Sequence, residues 1–190
     1  MNPFKKYQGK PKQITFTRRF PGCARTSGYV VDTWSTTTLL HVFYDFFPMG
    51  YSVIRTADVT DVRHGKIEQS WHRMYEAEKL LSGLNLRFRP DLSSAGTAIL
   101  TIAAKYKYMT VKCEDDEEDI MDFYLGYPSG VSDRCLLFEH FDVLGKWNRG
   151  PSSIDLDEIS VVEFDTPYIR RFSRYAGKPP TRGRLKWSTQ

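Results

Sequence analysis

The stretch TADVTDVRHGKIEQSWHRMY, Thr56 to Tyr75, is echoed about a hundred residues later by DLDEISVVEFDTPYIRRFSRY, Asp155 to Tyr175. In a chain of 190 residues such an echo is the strongest constraint on architecture, because a pattern written twice implies one supersecondary unit used twice. In the first half, Gly28-Tyr29-Val30-Val31, Leu39 to Tyr44 and Tyr51 to Arg55 read as strands rich in β-branched and aromatic residues, with Val59 and Val62 as the apolar points of a shorter one. Phe46 to Gly50, with Pro48 and Gly50 close together, predicts the turn between two of them. From Ile67 the apolar spacing becomes three or four residues, through Trp71 and Tyr75, which predicts an amphipathic helix that closes at Leu80 and Leu81 and stops at Gly83.

The second half repeats the order. Gly126-Tyr127 matches Gly28-Tyr29, Cys135 to Phe138 matches Thr38 to His41, Ile159 matches Val59 and Val162 matches Val62, at an offset that drifts only from 97 to 100. A turn at Gly145 and a Gly150-Pro151 break replace Pro48 to Gly50, and Tyr168, Phe172 and Tyr175 stand in place of the helix that carries Trp71 and Tyr75. Between the copies, Asp91 or Ser93 is placed to cap a helix through Ala95, Ile99, Leu100, Ile102 and Ala103, and Tyr106 to Cys113 alternates as an opening strand. Glu114 to Asp119 are six carboxylates in succession, which predicts an exposed loop.

Aromatic residues make up 14% of the chain, and large rings suit small β-rich cores that have few buried positions. The string from Asp122 to Tyr175 has Gly-Tyr near its start, an apolar strand ending in Glu139-His140-Phe141-Asp142, a Gly145-Lys146-Trp147 turn, Ile154 to Phe164 and a Tyr-containing helix. It resembles the small β-barrels of Sm-like or SH3-like type found in uncharacterised bacterial proteins. The resemblance implies an α+β chain of two tandem small, strongly bent antiparallel β-barrels, each followed by a short helix, and a class that binds rather than transforms. The expected division is a basic N-terminal segment over 1–19, a first barrel with its helix over 20–86, a linker with a helix over 87–106, a second barrel with its helix over 107–177 and a basic tail over 178–190.

Charge is segregated. Residues 1 to 30 hold seven Lys or Arg and no acid, residues 167 to 190 hold another seven and no acid, and the rest carries 13 basic against 23 acidic residues. The two ends read as peripheral, either solvated beside an acidic body or available to phosphates. On the second helix Arg170, Arg171 and Arg174 alternate with apolar anchors, and a basic ridge is predicted to continue through Lys178, Arg182, Arg184 and Lys186.

Signals for catalysis are sparse. His41 with Asp45, and His140 with Asp142, occupy corresponding strand ends where a carboxylate can tune an imidazole; a structural role for both histidines is the simpler reading. Cys23 follows Pro21-Gly22 among Arg18, Arg19 and Arg25, a setting that lowers a thiol pKa, but no partner base is evident. Three scattered cysteines and the lack of a His-x-x-x-His or a glycine-rich phosphate loop argue against disulfides, a zinc site and nucleotide cofactors, so no cofactor or metal is expected. No apolar run suits a signal peptide or a membrane span, which points to the cytoplasm. The expected function is a non-enzymatic module engaging a protein partner through sheet edges and the arginine ridge. The alternatives are RNA or DNA binding by the basic ends and a small hydrolase using His41 or His140. Edge pairing between copies would make a homo-oligomer.

Overall fold

The computed structural model describes residues 2–20, 25–115, 121–180 and 186–188. Strands β1 (Ile14–Arg18), β2 (Thr26–Thr33), β3 (Thr37–Tyr44), β4 (Phe47–Arg55) and β5 (Val59–Arg63) fill the first half, followed by helix α1 (Lys66–Ala77) and a 3-10 turn at Leu80–Asn85. Helix α2 (Ala95–Lys105) leads into β6 (Met109–Glu114), β7 (Met121–Ser132), β8 (Cys135–His140), β9 (Ser152–Asp155) and β10 (Ile159–Phe164), then helix α3 (Pro167–Phe172) and β11 (Lys186–Ser188).

Ten of these strands form one continuous antiparallel sheet in the order β5-β1-β2-β3-β4-β10-β6-β7-β8-β9, and β11 lies parallel to the end of β7. The expectation of two tandem small barrels is therefore corrected: the sheet is not closed, and strands of both halves share it. The order of strands is nevertheless the same in each half, β5-β1-β2-β3-β4 and β10-β6-β7-β8-β9. The halves meet where β4 pairs with β10, Val53 opposite Val162 and Tyr51 opposite Phe164. Closing the first half would have required β4 to bond β5. Instead its apolar residues are buried against those of β10, with Val53, Tyr51, Val162 and Phe164 in one core cluster that also takes in Ile99 and Ile102 of α2. Side-chain periodicity reports the face of a strand and not its hydrogen-bonding neighbour, so the sequence pattern was silent on this seam.

The paired glycines sit in matching surroundings. Gly28 of β2 lies opposite Val42, and Gly126 of β7 opposite His140; a Cβ would come 2.5 Å from the His41 carbonyl oxygen at the first and 1.8 Å from that of Glu139 at the second. Each permits two backbones to touch where its strand passes from one neighbour to the next. Pro48 and Gly50 do not form the expected turn, which falls at Asp45 and Phe46. Both belong to β4, at a register shift against β3, and Gly50 has a φ of +86°.

The basic segment 1–19 is not peripheral. It contributes β1 between β5 and β2, and Phe4, Tyr7, Ile14 and Phe16 join a core with Leu40 and Ile54. Helix α1 ends at Ala77, short of the expected Leu81, where Lys79 takes a left-handed φ of 58°. Its buried Glu68 accepts hydrogen bonds from the Gly65 amide (2.7 Å), Thr15 (2.9 Å) and Arg63 (2.8 Å). The α2 cap is Ser94 and not Asp91 or Ser93; its Oγ accepts the Thr97 amide at 3.1 Å. Of the acidic run, 116–119 lies outside the described residues, but Glu114 is not part of a solvated loop: it closes β6 and binds Arg18 and Ser160. No helix among the described residues is long and apolar enough to cross a membrane.

Candidate functional site

Asp165, with a φ of 52°, turns the chain sharply out of β10, and Thr166 then caps α3 by accepting the Ile169 amide at 3.0 Å, with Pro167 at the first helical position. Ile169 anchors the helix in a core with Leu125 and Phe141, against which Phe172 packs. That leaves Tyr168, Arg171, Arg174 and Tyr175 outward. Gly50 brings the neighbouring wall into place, since a Cβ there would lie 2.5 Å from the Asp165 carbonyl oxygen; its absence lets β4 close against the start of α3.

Between these elements runs a groove of about 980 Å³. Phe47, Pro48 and Met49 form its β4 side, and Pro167, Tyr168, Arg170, Arg171, Phe172, Arg174 and Tyr175 the other, so none of the described residues that line it is acidic. Phe47, Tyr168 and Tyr175 are 67%, 47% and 78% exposed. Tyr168 stacks on Phe172 with centroids 5.5 Å apart, which holds one ring in a fixed plane. Arg170 is committed to the Asp165 carboxylate (2.7 Å) and carbonyl (2.9 Å). Arg171 and Arg174 have no ion-pair partner among the described residues.

The predicted ridge is only partly assembled. Arg170, Arg171 and Arg174 line the groove, and exposed Lys178 follows on a segment tied down by the Gly177 amide donating to Gly145 O and Trp147 Nε1 donating to Gly177 O, both at 2.8 Å. Arg182 and Arg184 lie outside the described residues, and Lys186 is placed on β11 opposite Gly130 of β7. The two basic ends pack on different halves, the N-terminal one bonding β2 through the Gly9 amide and Val30 O.

Neither His–Asp pair forms. His41 is 4% exposed, packed between Phe43 and Tyr51, and its Nδ1 has no partner; burial pushes its pKa down to about 4. Asp45 occupies the β3–β4 turn with a left-handed φ of 48°. His140 Nε2 lies 2.8 Å from Ser152 Oγ, while Asp142 accepts the Leu144 and Lys146 amides at 2.9 Å each and so serves its turn. Burial also lowers the pKa of His140. Cys23 lies outside the described residues, and burial pushes the Cys113 thiol up to about 12, which makes it a poor nucleophile. Among the described residues no three of His, Cys, Asp and Glu gather to hold a metal ion.

His41 sets a pH dependence. An ordinary histidine titrates near 6.5 and this one near 4, so at intermediate pH the unfolded chain binds a proton that the folded chain does not. Stability therefore rises with pH through that window, and lowering pH from 7 to 5 should cost about 2 kcal/mol through this residue. His41→Phe should flatten the slope by that amount in urea titrations at the two pH values; His140, which acts in the same sense, remains in both proteins.

The sequence reading found the arginines of this groove but not its β4 wall. Phe47 and Tyr175 are 128 positions apart, and only the β4–β10 seam brings their segments together. Trp71 is half-buried against Phe46 and Tyr75, and Trp147 against Tyr127 and Phe141; the exposed rings of the groove are instead Tyr168 and Tyr175, which the pattern placed on the second helix, and Phe47, which it placed in a turn. Compared with protein-family models, with curated proteins and with solved structures, the chain finds no match.

Proposed function

We propose that the protein is a non-enzymatic binding module for single-stranded nucleic acid, held in the groove between β4 and α3. The observation that carries this reading is the coincidence of three solvent-facing rings with two guanidinium groups that have no ion-pair partner among the described residues, in a groove whose described lining holds no acid. Proteins that hold single strands without reading sequence combine these two elements: cations follow the backbone, and bases stack on rings. Tyr168, held flat by Phe172, is the fixed platform; Phe47 and Tyr175 are its more open neighbours. Arg171 and Arg174, with Lys178 beyond them, supply the phosphate contacts, and Asp165 keeps Arg170 oriented at the rim.

Fluorescence anisotropy with a labelled oligouridylate tests this. Three phosphate contacts predict a slope of about −2 in log K against log salt, an affinity loss of about 20-fold between 50 and 200 mM. Arg171→Ala with Arg174→Ala should shrink that slope by about two thirds. Phe47→Ala and Tyr175→Ala should each weaken binding by about 1–3 kcal/mol with little change in slope. Absence of binding at 50 mM salt, or equal affinity for an acidic peptide displaced by the same variants, would remove the reading.

A further inference from the structure

β5 ends the sheet, with β1 on one side and no strand among the described residues on the other. Along it lies a groove of about 660 Å³ touched by Val59, Thr60, Asp61 and Val62. Successive side chains of a strand point to opposite faces, so a groove lined by four consecutive residues follows the edge of β5 and not one face. Its other wall carries Asn2, Lys5 and Lys6 and is firmly held: Phe4 is fully buried, and the Asn2 amide donates to Thr33 Oγ1 (2.8 Å) and Trp34 O (2.6 Å). Lys5 and Lys6 are exposed, and neither ammonium has an ion-pair partner among the described residues.

We propose that this groove receives an extended acidic peptide segment of another protein as an added strand on β5, its carboxylates meeting Lys5 and Lys6 and its apolar side chains covering Val59 and Val62. Strand addition takes affinity from main-chain hydrogen bonds and specificity from the side chains beside them. The chain itself contains the corresponding joint. β10 holds the place in its half that β5 holds in the first, Val162 opposite Val111 of β6 as Val62 is opposite Phe16 of β1, and β10 takes β4 as an antiparallel neighbour on its other edge.

The same joint argues against a second copy as the occupant. Its β9 would have to take the part of β4, with Asp155, which faces Cys135, in the place of Ile54, which faces Thr38. The apolar pair Val161–Ile54 at the internal seam would then become Asp61 against Asp155. Like charges directly opposite destabilise a pairing. Asp61 likewise selects an uncharged or basic residue opposite it in the incoming strand.

The test uses the full chain and two fluorescein-labelled hexapeptides, Glu-Thr-Val-Thr-Glu-Thr and Lys-Thr-Val-Thr-Lys-Thr, in which an uncharged threonine stands opposite Asp61 when the valine covers Val62. The acidic peptide should bind at least about tenfold more tightly at low salt, with amide resonance shifts centred on Val59 to Val62, and Lys5→Glu with Lys6→Glu should reverse the preference. Equal binding of the two peptides, shifts centred on α3, or no binding would overturn the proposal. So would a self-associated protein whose contact maps to β5 and β9 by hydrogen exchange. Because the shifts are read on the unmodified chain, the result does not depend on the variant.

Discussion

Gly126→Ala is expected to melt well below the unmodified protein. At this position β7 leaves its pairing with β6 and enters its pairing with β8, and the added Cβ would lie 1.8 Å from the Glu139 carbonyl oxygen and 2.8 Å from the His140 Cα. Both contacts are with backbone, so no rotamer change relieves them and the two strands must part. The cost should reach or exceed the ~3 kcal/mol upper end of ordinary overpacking, which for a chain of this size lowers Tm by about 6–12 °C. Gly150→Ala, with nothing within 4 Å of the new methyl, is the matched control and should melt within about 2 °C of the unmodified protein. If Gly126→Ala does so too in a thermal circular-dichroism scan, β7 and β8 are not pressed together as described.

The second large effect is expected where the two halves are clamped. Arg18, at the end of β1, donates two hydrogen bonds to Glu114 at the end of β6, one of them 2.7 Å from Nη2 to Oε1, and Ser160 Oγ donates to the same carboxylate at 2.5 Å. The side chains are 13% and 8% exposed. Removing one partner leaves the other charge in a poorly solvated place, so Arg18→Ala and Glu114→Ala should each cost about 3–5 kcal/mol. Replacing both by apolar residues of similar size, Arg18→Met with Glu114→Leu, should recover most of the loss. Urea unfolding of these four proteins measures the losses and the recovery, and the Arg18→Ala/Glu114→Ala double variant closes a double-mutant cycle with the two singles; single variants within about 1 kcal/mol of the unmodified protein would mean that the pair is solvated. β1 and β6 stand five steps apart along the sheet, so this contact exists only because the sheet coils back on itself.

Much of the local structure was legible because it depends on neighbours in sequence. Leu39 and Leu136, matched between the halves by pattern, are both fully buried, and the change of spacing at Ile67 marks α1. The arginines of α3 stood out for the same reason. The seam, the coiling of the sheet and the β4 wall of the groove were not legible, because each rests on main-chain pairing between residues about a hundred positions apart. Glu114 shows the same limit: six carboxylates in a row read as solvated charge until Arg18, 96 residues away, is known to reach the first of them. The proposed His–Asp pairs failed differently. Proximity in sequence placed the carboxylates near the imidazoles, but Asp45 and Asp142 are taken up by tight turns.

The β4–β10 seam is of the kind that elsewhere joins separate subunits, yet here both strands belong to one polypeptide. Tethering replaces an encounter between molecules by an internal concentration of millimolar order, far above what separate halves would reach in a cell or a dilute assay. Dilution, which dissolves assemblies held edge to edge, therefore leaves this junction shut, and any surface built across it, the cleft beside α3 included, persists in a solitary molecule.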